Sequence, residues 1–555
     1  MTPEQLCDTI VHALTKLTDE GALSLPDSVP SRVVVERPKV KEHGDYATNV
    51  ALQLAKQAGV PPRDLATMLA EKLGATEGIA SAEIAGPGFL NIRVAAGAQG
   101  AVAAQIVQAG SSYGRTSTLA GQRYNVEFIS ANPTGPIHLG HTRWAVVGDA
   151  ISRVIEAAGA EVVREFYIND RGNQMDNFGA SLEAAAMGEP VPEEGYHGAY
   201  IHELAQRVVA KNPHILRTPS AERLAAFREA GYKLQLADQQ RQLDGFRTHF
   251  DVWYSERSLH EQDKVEHALD KLREQGHSFE EDGALWLRTT DFGDDKDRVL
   301  VRGNGELTYF ASDTAYYVDK RERGFDVCVY LLGADHHGYV GRLKAMAACA
   351  GDDPQKNIEI LIGQLVKIMR GNEEVRLSKR AGTIVTLEEL VDMIGVDALR
   401  YTLARYPSDS PLTLDIEQIT RKASDNPVFY VQYAHARLAS ILRNAGDLGI
   451  APAQGDVFDP SLLSHEKEGD LLRAIAEFPR VVASAASLRE PHRVARYLED
   501  TASSFHRFYD SCRVLPQGEK EPAPIHGARL LLVRATKTVF ANGLELLGVS
   551  APERM

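Results

Sequence analysis

The segment from Ser130 to His141 has the residue types of an anion-binding site. A strand-like run precedes it, a Gly/Pro-rich turn forms its middle, and a helical pattern begins at its end. Backbone N–H groups and the helix dipole favour a phosphate at such a helix start. His138 and His141 lie on one face and can donate hydrogen bonds to phosphate oxygens, while Gly140 lets a purine ring or ribose come close. Taken alone, the HxxH pattern also fits a metal pair or polar capping.

Residues 375–383 form a second segment of chemical interest, because three cations surround a small polar residue and a glycine. Such a segment suits a loop that neutralises a triphosphate. A cation there works best if it meets the charge that develops as pyrophosphate leaves. Lys379 is the central cation, and Arg376 and Ser378 stand just before it. A basic segment of this kind is, by itself, more often a solvated surface.

Tyr309 and Asp313 are spaced to recognise a guanidinium group, which offers five donors and no acceptor and therefore needs carboxylate or phenol partners. Their i, i+4 spacing places both side chains on one helical face. The same pattern also occurs at ordinary helix positions. A buried Glu127 without a cationic partner would be costly, so a bound guanidinium or ammonium supplies a rationale for it.

Three regions of the chain must position these residues. Residues 1–115 mix helical patterns with short β-branched runs and predict a small α+β domain. In 116–395, strand-like and helical runs alternate, which predicts an α/β domain with a Rossmann-type parallel sheet. Within it, about 185–285 is richer in charge and helix formers and is interpreted as an insertion. From 396 to 555 strand signals vanish, and helical periodicity predicts an α-helical bundle.

Composition narrows the class of protein. The 555 residues are too many for one core, and the four cysteines contain no CxxC pair, which argues against a structural zinc site and a disulfide framework. No apolar run approaches the roughly 20 residues of a membrane span, and the start predicts an amphipathic helix rather than a signal peptide. We therefore expect a cytoplasmic protein. The net charge of −15 excludes indiscriminate coating of nucleic acid but not a local RNA-binding face.

Together, the two segments resemble the HIGH and KMSKS signatures of class I aminoacyl-tRNA synthetases, in the family's order and about 240 residues apart. The first reads His-Leu-Gly-His. The second reads Arg-Leu-Ser-Lys-Arg and departs from the family at its first lysine, its methionine and its last serine, but it keeps the lysine used on the phosphates. The resemblance implies three catalytic residues, His138, His141 and Lys379. It implies that ATP is bound by these three together with Gly140, Arg376 and Ser378.

The finer resemblance is to arginyl-tRNA synthetases of the bacterial type. Tyr309 and Asp313 match the pair that holds the arginine side chain, and Glu127 and Asn132 match the family's Glu and Asn just before the first histidine. Blocks at 166–175, 286–295 and 333–339 are also similar. The resemblance implies a substrate-binding set made of Glu127, Ser130, Asn132, Tyr309, Asp313, Asp335 and His336.

The Asp335-His336-His337 run also has the chemistry of metal ligands. Adjacent histidines on a turn point apart, however, so contact with substrate or adenosine is the favoured interpretation and no protein-bound metal is expected.

The flanking regions agree with this family. Residues 397–400 match the DALR element of its anticodon-binding domain, and 426–437 resemble the first long helix of that domain. Residues 43–49 and 86–91 resemble the N-terminal domain that contacts the tRNA elbow in arginyl enzymes. Aromatic and arginine side chains suit unstacked bases, although an aromatic stripe alone is more often core. The implied tRNA-contacting residues are Phe89, Asn91, Tyr430, Tyr433 and Arg437.

The resemblance implies ATP-dependent attachment of L-arginine to tRNA(Arg) through an arginyl-adenylate, with release of AMP and pyrophosphate. ATP is a substrate accompanied by Mg²⁺, and a monomer without membrane association is expected. One alternative is another class I adenylating enzyme, such as a cysteinyl-type synthetase or a small-molecule ligase, which would leave the N-terminal domain unexplained. A second is a non-catalytic RNA-binding paralogue, which would bind tRNA without activating an amino acid.

Overall fold

The computed structural model describes residues 1–38, 40–371, 373–374, 385–518 and 521–555. The first region is α+β, as predicted, with an antiparallel sheet in the order β1-β3-β2 packed on helices around its own apolar core. Its elements are α1 (Pro3–Asp19), β1 (Tyr46–Thr48), α2 (Val50–Ala58), α3 (Pro62–Gly74), β2 (Ile79–Ala85), β3 (Phe89–Val94) and α4 (Ala96–Ala109). The β-branched run at 32–35 is not assigned to a strand. Val33 and Val35 are buried, and pairing is limited to one bridge between Glu36 and Ala47.

The second region contains the predicted parallel sheet, in the order β11-β10-β4-β5-β6. Its elements are β4 (Arg123–Glu127), α5 (Leu139–Ala157), β5 (Glu161–Ile168), α6 (Asn173–Met187), α7 (Ala199–Lys211), α8 (Ser220–Gly245), β6 (Val252–Ser255), α9 (Glu256–Glu261), α10 (Lys264–Glu274), β7 (Ser278–Glu281), β8 (Ala284–Leu287), β9 (Arg298–Val301), α11 (Tyr309–Glu322), β10 (Val327–Gly333), α12 (Tyr339–Cys349) and β11 (Ile358–Gly363). The strand order reverses between β4 and β10. In open α/β sheets, ligands bind in the crevice at the carboxyl ends of the strands at such a point.

The segment assigned to an insertion, 185–285, contributes to the sheet as well. Helices α6, α7 and α8 lie between β5 and β6 and share a separate apolar core. Strand β6 falls inside the segment and pairs in parallel with β5. Four residues are too few for a periodic pattern to reveal such a strand. Strands β7, β8 and β9 form a small antiparallel sheet of their own.

The remainder of the described chain, after β11, is mainly helical. Its elements, from the sheet onward, are β12 (Val366–Arg370), β13 (Glu373–Glu374), α13 (Leu387–Ile394), α14 (Val396–Ala404), β14 (Leu412–Asp415), α15 (Ile416–Thr420), α16 (Pro427–Asp447), α17 (Glu466–Ala476), α18 (Phe478–Leu488), α19 (His492–Ser511) and α20 (Pro524–Leu546). The expectation of no strand after 396 is wrong at β14, which pairs with β12. Helical periodicity continues from 470 to 485, but this segment forms parts of two helices, because Pro479 lies in the first turn of α18. Among the described residues, no helix combines the length and apolar character of a membrane span.

The DALR segment fastens the helical region to the sheet region. Arg400 is completely buried and donates to the carboxylate of Asp149 on α5, to the carbonyl of Phe246 at 2.9 Å and to that of Leu547 at 3.2 Å. Asp397 binds Arg247 at 2.5 Å and accepts from the backbone N–H of Ser550 at 3.0 Å, among other contacts. The two charged residues of the motif therefore connect three parts of the chain.

We expect the substitution Arg400→Met to destabilise the protein by about 3 kcal/mol, because Asp149 and two carbonyls lose a buried cationic donor. The thermal unfolding midpoint should fall clearly. Arg400→Lys keeps the charge but not the forked geometry, so its unfolding midpoint should lie between those of Arg400→Met and the parent. A midpoint unchanged in Arg400→Met would show that this contact does not hold the two regions together.

Candidate active site

The two histidines lie at the start of α5, at the carboxyl end of the sheet. His138 caps the helix, since its Nδ1 accepts from the backbone N–H of Gly140 at 3.2 Å. The rings of His138 and His141 stack with their centroids 3.8 Å apart. A Cβ atom on Gly140 would lie 3.1 Å from Cε1 of His138. The position of the His138 ring against Gly140 is thus a second reason for glycine at this position, besides the close approach of a ligand.

A cavity of about 970 Å³ opens beside the two rings. It is lined by the loop 132–136 that leads from β4 towards α5, by residues 193–197 of the connection between α6 and α7, and by Tyr200 on α7. The described lining therefore joins the sheet region and the insertion. Its volume suits a nucleotide or a similar ligand.

The second cationic segment lies outside the described residues, so the positions of Arg376, Ser378 and Lys379 are not part of this geometry. The chain that follows it is held alongside the first motif. The backbone N–H of Leu139 donates to the carbonyl of Val385 at 3.3 Å. In return, the backbone N–H of Leu387 donates to the carbonyl of Ile137 at 2.8 Å. Residues directly after the second motif thus pair with residues around the first.

Glu127, at the end of β4, already has a cationic partner within the chain. Lys320 on α11 is completely buried, and its Nζ lies 2.6 Å from Oε2 of Glu127. The aromatic rings of Tyr316 and Tyr330 lie 4.2 and 3.9 Å from the same Nζ. Glu127 therefore has a cationic partner without any ligand, contrary to the premise of the expectation from the sequence. No local pattern marks Lys320, because the two residues are far apart in sequence.

Ser130 connects Glu127 to the next strand. Its hydroxyl donates to Oε1 of Glu127 at 3.0 Å and accepts from the backbone N–H of Tyr167 at 3.2 Å. Ile129 and Ser130 both have positive φ values, 68° and 43°, which non-glycine residues seldom adopt. Such strain concentrates at functional sites, where the surrounding structure holds it.

Asp313 lies in a pocket with an excess of carboxylates. Burial, together with the charges of Glu127 and Glu256, raises the pKa of Asp313 to about 7, against a smaller opposing effect of Arg342. Burial and Asp170 raise the pKa of Glu256 to about 7 as well. A bound cation would stabilise the ionised form of both carboxylates and so lower both pKa values. Glu256, at the start of α9, is not among the residues predicted from the sequence, because no local pattern distinguishes it.

The other implied substrate residues lie nearer the surface. Tyr309 begins α11, one helical turn before Asp313, and is 81% exposed. Asp335 and His336 follow the carboxyl end of β10, with 3.5 Å between Oδ2 and Nε2. In the part of the chain that the structure describes, no three His, Cys, Asp or Glu side chains form a group that could hold a metal ion.

The implied tRNA-contacting residues lie in two separate places. Phe89 is 42% exposed at the start of β3, and Asn91 is half-buried in the same strand. Tyr430, Tyr433 and Arg437 lie on α16.

Helix α19 adds two residues that the sequence analysis did not select. The guanidinium of Arg437 lies 4.4 Å from the ring centroid of Tyr509, and His506 lies 5.1 Å from Tyr430, ring to ring. The surface on α16 is thus shared between two helices.

Comparisons with known proteins follow the same division of the chain. Family models match at 4–94 (arginyl tRNA synthetase N terminal domain), 103–404 (tRNA synthetases class I (R), catalytic domain) and 431–555 (DALR anticodon binding domain). The chain is 57% identical to the arginine–tRNA ligase of Frankia alni over 555 residues and 56% identical to that of Renibacterium salmoninarum over 556 aligned positions, with all of each chain covered.

Solved structures give the same picture. An arginyl-tRNA synthetase structure from Campylobacter jejuni matches with a TM-score of 0.74 and 30% identity, covering 83% of this chain and 100% of that one. The Thermus thermophilus arginyl-tRNA synthetase matches over 100% of both chains, with a TM-score of 0.73 and 23% identity, and so shows the fold. The parallel sheet and the histidine pair at its crevice define a class I aminoacyl-tRNA synthetase. By its relatives and family models, the chain belongs to the arginyl-tRNA synthetase family, whose activity is the ATP-dependent attachment of arginine to tRNA.

Proposed function

We propose that the crevice between β4 and β10 carries out both steps of arginine attachment to tRNA(Arg). The observation that supports this proposal is that Asp313 lies among the carboxylates of Glu127 and Glu256, and that Glu127 ends the strand whose connection leads to the stacked histidines. In the first step the arginine carboxylate attacks the α-phosphate of ATP, and pyrophosphate leaves. In the second, a ribose hydroxyl at the 3′ end of tRNA attacks the adenylate carbonyl, and AMP leaves. Positioning and charge stabilisation suffice for both.

The arginine side chain is assigned to Asp313, with Glu256 beside it and the phenol of Tyr309 closing the outer end. Two carboxylates and a phenol match the planar donors of a guanidinium. The α-amino and carboxylate end is assigned to Glu127, Ser130 and Asn132, near the loop that leads to the histidines. Asp335 and His336 are proposed to contact the same substrate or the adenosine from the end of β10.

ATP is assigned to the cavity beside α5. His138 and His141 are proposed to hydrogen-bond its phosphates, with the N-terminal turn of α5 and Gly140 beneath the nucleotide. Arg376, Ser378 and Lys379 are proposed to meet the phosphates from the other side, which the pairing of Val385 with Leu139 supports. Mg²⁺ is proposed to arrive with ATP and to supply neutralisation of phosphate charge.

The tRNA is assigned to the two outer regions. We propose a division into an N-terminal domain at 1–115, a catalytic domain at 116–395 and an anticodon-binding domain at 396–555. Phe89 and Asn91 would contact the tRNA elbow, and Tyr430, Tyr433 and Arg437 the anticodon. We further propose that the protein is a monomer and that it is located in the cytoplasm. The four free, buried cysteines support the location, because the cytoplasm keeps thiols reduced.

Arginine binding is expected to release protons. The raised pKa values of Asp313 and Glu256 mean that the empty pocket holds protons below about pH 7, whereas a guanidinium prefers both carboxylates ionised. The Kd for arginine should therefore fall several-fold as the pH rises from 6 to 8 and then level off. Calorimetry in buffers of different ionisation enthalpy measures the released protons directly. A pH-independent Kd with no proton release would remove Asp313 and Glu256 from the arginine site.

The proposal is tested by two assays. Arginine-dependent ATP–pyrophosphate exchange is measured with and without tRNA, and charging of tRNA with arginine is measured with and without ATP. Activity in both assays supports the two-step scheme at one site. Binding of tRNA by folded protein without either activity would leave only the RNA-binding alternative.

A further inference from the structure

The loop that leads into the histidine pair is held by side chains of the insertion. Gln239 on α8 donates through Nε2 to the carbonyls of Asn132 and Gly135, at 3.0 and 2.8 Å. Tyr200 on α7 donates through its hydroxyl to the carbonyl of Thr134 at 3.1 Å. Two helices that belong to neither motif therefore fix three carbonyls of one short loop.

Only the nitrogen end of the Gln239 side-chain amide is hydrogen-bonded among the described residues. The side chain is completely buried, and its Oε1 has no hydrogen-bond partner among the described residues. An unpaired buried oxygen costs free energy, and this cost offsets part of what the two hydrogen bonds from Nε2 contribute to stability. The two bonds from Nε2 to the loop are what an apolar side chain could not provide.

The loop itself needs an external support. It follows Ile129 and Ser130, whose backbones lie in the left-handed region, and it contains two prolines, which lack the N–H of a hydrogen-bonded turn. Asn132 lies at one end of the loop and His138 just beyond the other, and both line the same cavity. A shift of the loop would change the distance between these two groups.

We propose that Gln239 is a positioning residue for arginine activation. By holding the carbonyls of Asn132 and Gly135, it fixes the distance between Asn132, which is assigned to the amino acid, and the two histidines that are assigned to the ATP phosphates. Tyr200 supports the middle of the same loop. This inference rests on the proposed function of the site. A displacement of reacting groups by a fraction of an ångström lowers the rate of the chemical step more than the binding of either substrate.

The test is the substitution Gln239→Met in the full chain, assayed by arginine-dependent pyrophosphate exchange with tRNA present. We expect kcat to fall about tenfold, with KM for arginine and ATP within about threefold of the parent. The thermal unfolding midpoint should fall only slightly, because the removal of the unpaired Oε1 offsets part of the loss of two hydrogen bonds. Gln242→Met is the matched control, since Gln242 lies on the same helix and also has a buried Oε1 without a partner among the described residues. Its kcat should equal that of the parent.

Tyr200→Phe gives a second measurement, because it removes one hydroxyl and leaves the ring in place. We expect kcat to fall about threefold, and this variant decides the question if Gln239→Met does not fold. A kcat within error of the parent in the variant that folds would overturn the proposal. So would an equal loss in Gln242→Met, or a loss that follows the unfolding midpoint. Failure of the parent protein to activate arginine would instead overturn the proposed function.

Discussion

Asp313→Asn is expected to raise KM for arginine by roughly a hundredfold, with KM for ATP nearly unchanged. Truncating one partner of a buried, hydrogen-bonded charge pair costs about 2–5 kcal/mol, and a neutral amide cannot offset the guanidinium charge. Steady-state pyrophosphate exchange with varied arginine measures the effect. Asparagine keeps the shape of the side chain, so the change isolates its charge.

Protein stability provides the control for this prediction. Burial and neighbouring carboxylates raise the pKa of Asp313 to about 7, so at pH 8 the ionised carboxylate destabilises the folded protein relative to the unfolded chain. Removing the charge should therefore leave the unfolding midpoint at pH 8 unchanged or higher. A lower midpoint together with a uniform loss of activity would point to a structural role. An unchanged KM for arginine would place the guanidinium elsewhere.

His141→Asn is expected to lower kcat for arginine activation by about a hundredfold to a thousandfold, the usual effect of removing one donor to developing charge. The Nδ1 atom of His141 accepts from the backbone N–H of His138 at 3.4 Å, and the proposed phosphate contact is assigned to Nε2. An asparagine amide oxygen can take the place of Nδ1, so the capping contact is kept and the phosphate contact is lost.

His141→Gln is the complementary variant, because the longer amide places a donor near the position of Nε2. It should recover part of the lost kcat. Equal losses in His141→Asn and His141→Gln would mean that the imidazole acts through packing at the start of α5. Full activity in His141→Asn would remove the residue from the phosphate site.

The sequence predicts best those features whose signals are local. The strand, turn and helix around His138 are close in the chain, and the periodicity of α5 and α16 extends over several turns. The same holds for Tyr309 and Asp313, which one helix carries at fixed spacing. Pro479 shows where a local pattern misleads, since this residue lies at the break between α17 and α18 in a segment whose helical periodicity looks continuous.

The sequence could not reveal groups that only the tertiary structure brings together. Lys320 reaches Glu127 across the interface between α11 and the sheet, and Glu256 approaches Asp313 from another helix. Neither has a neighbour in sequence that marks it. The contact of Gln239 with the loop before α5 is likewise a contact between distant segments. Short strands such as β6 and β14 are fixed by pairing rather than by local preference.

The most direct test of this account is charging of tRNA with arginine compared with citrulline, its neutral isostere, in parallel with the other proteinogenic amino acids. If Asp313 and Glu256 form a guanidinium site, arginine alone should be charged, and citrulline should be rejected by at least a hundredfold in kcat/KM. Charging of citrulline at a comparable rate, or of a different amino acid in preference to arginine, would contradict the carboxylate pocket as the basis of recognition.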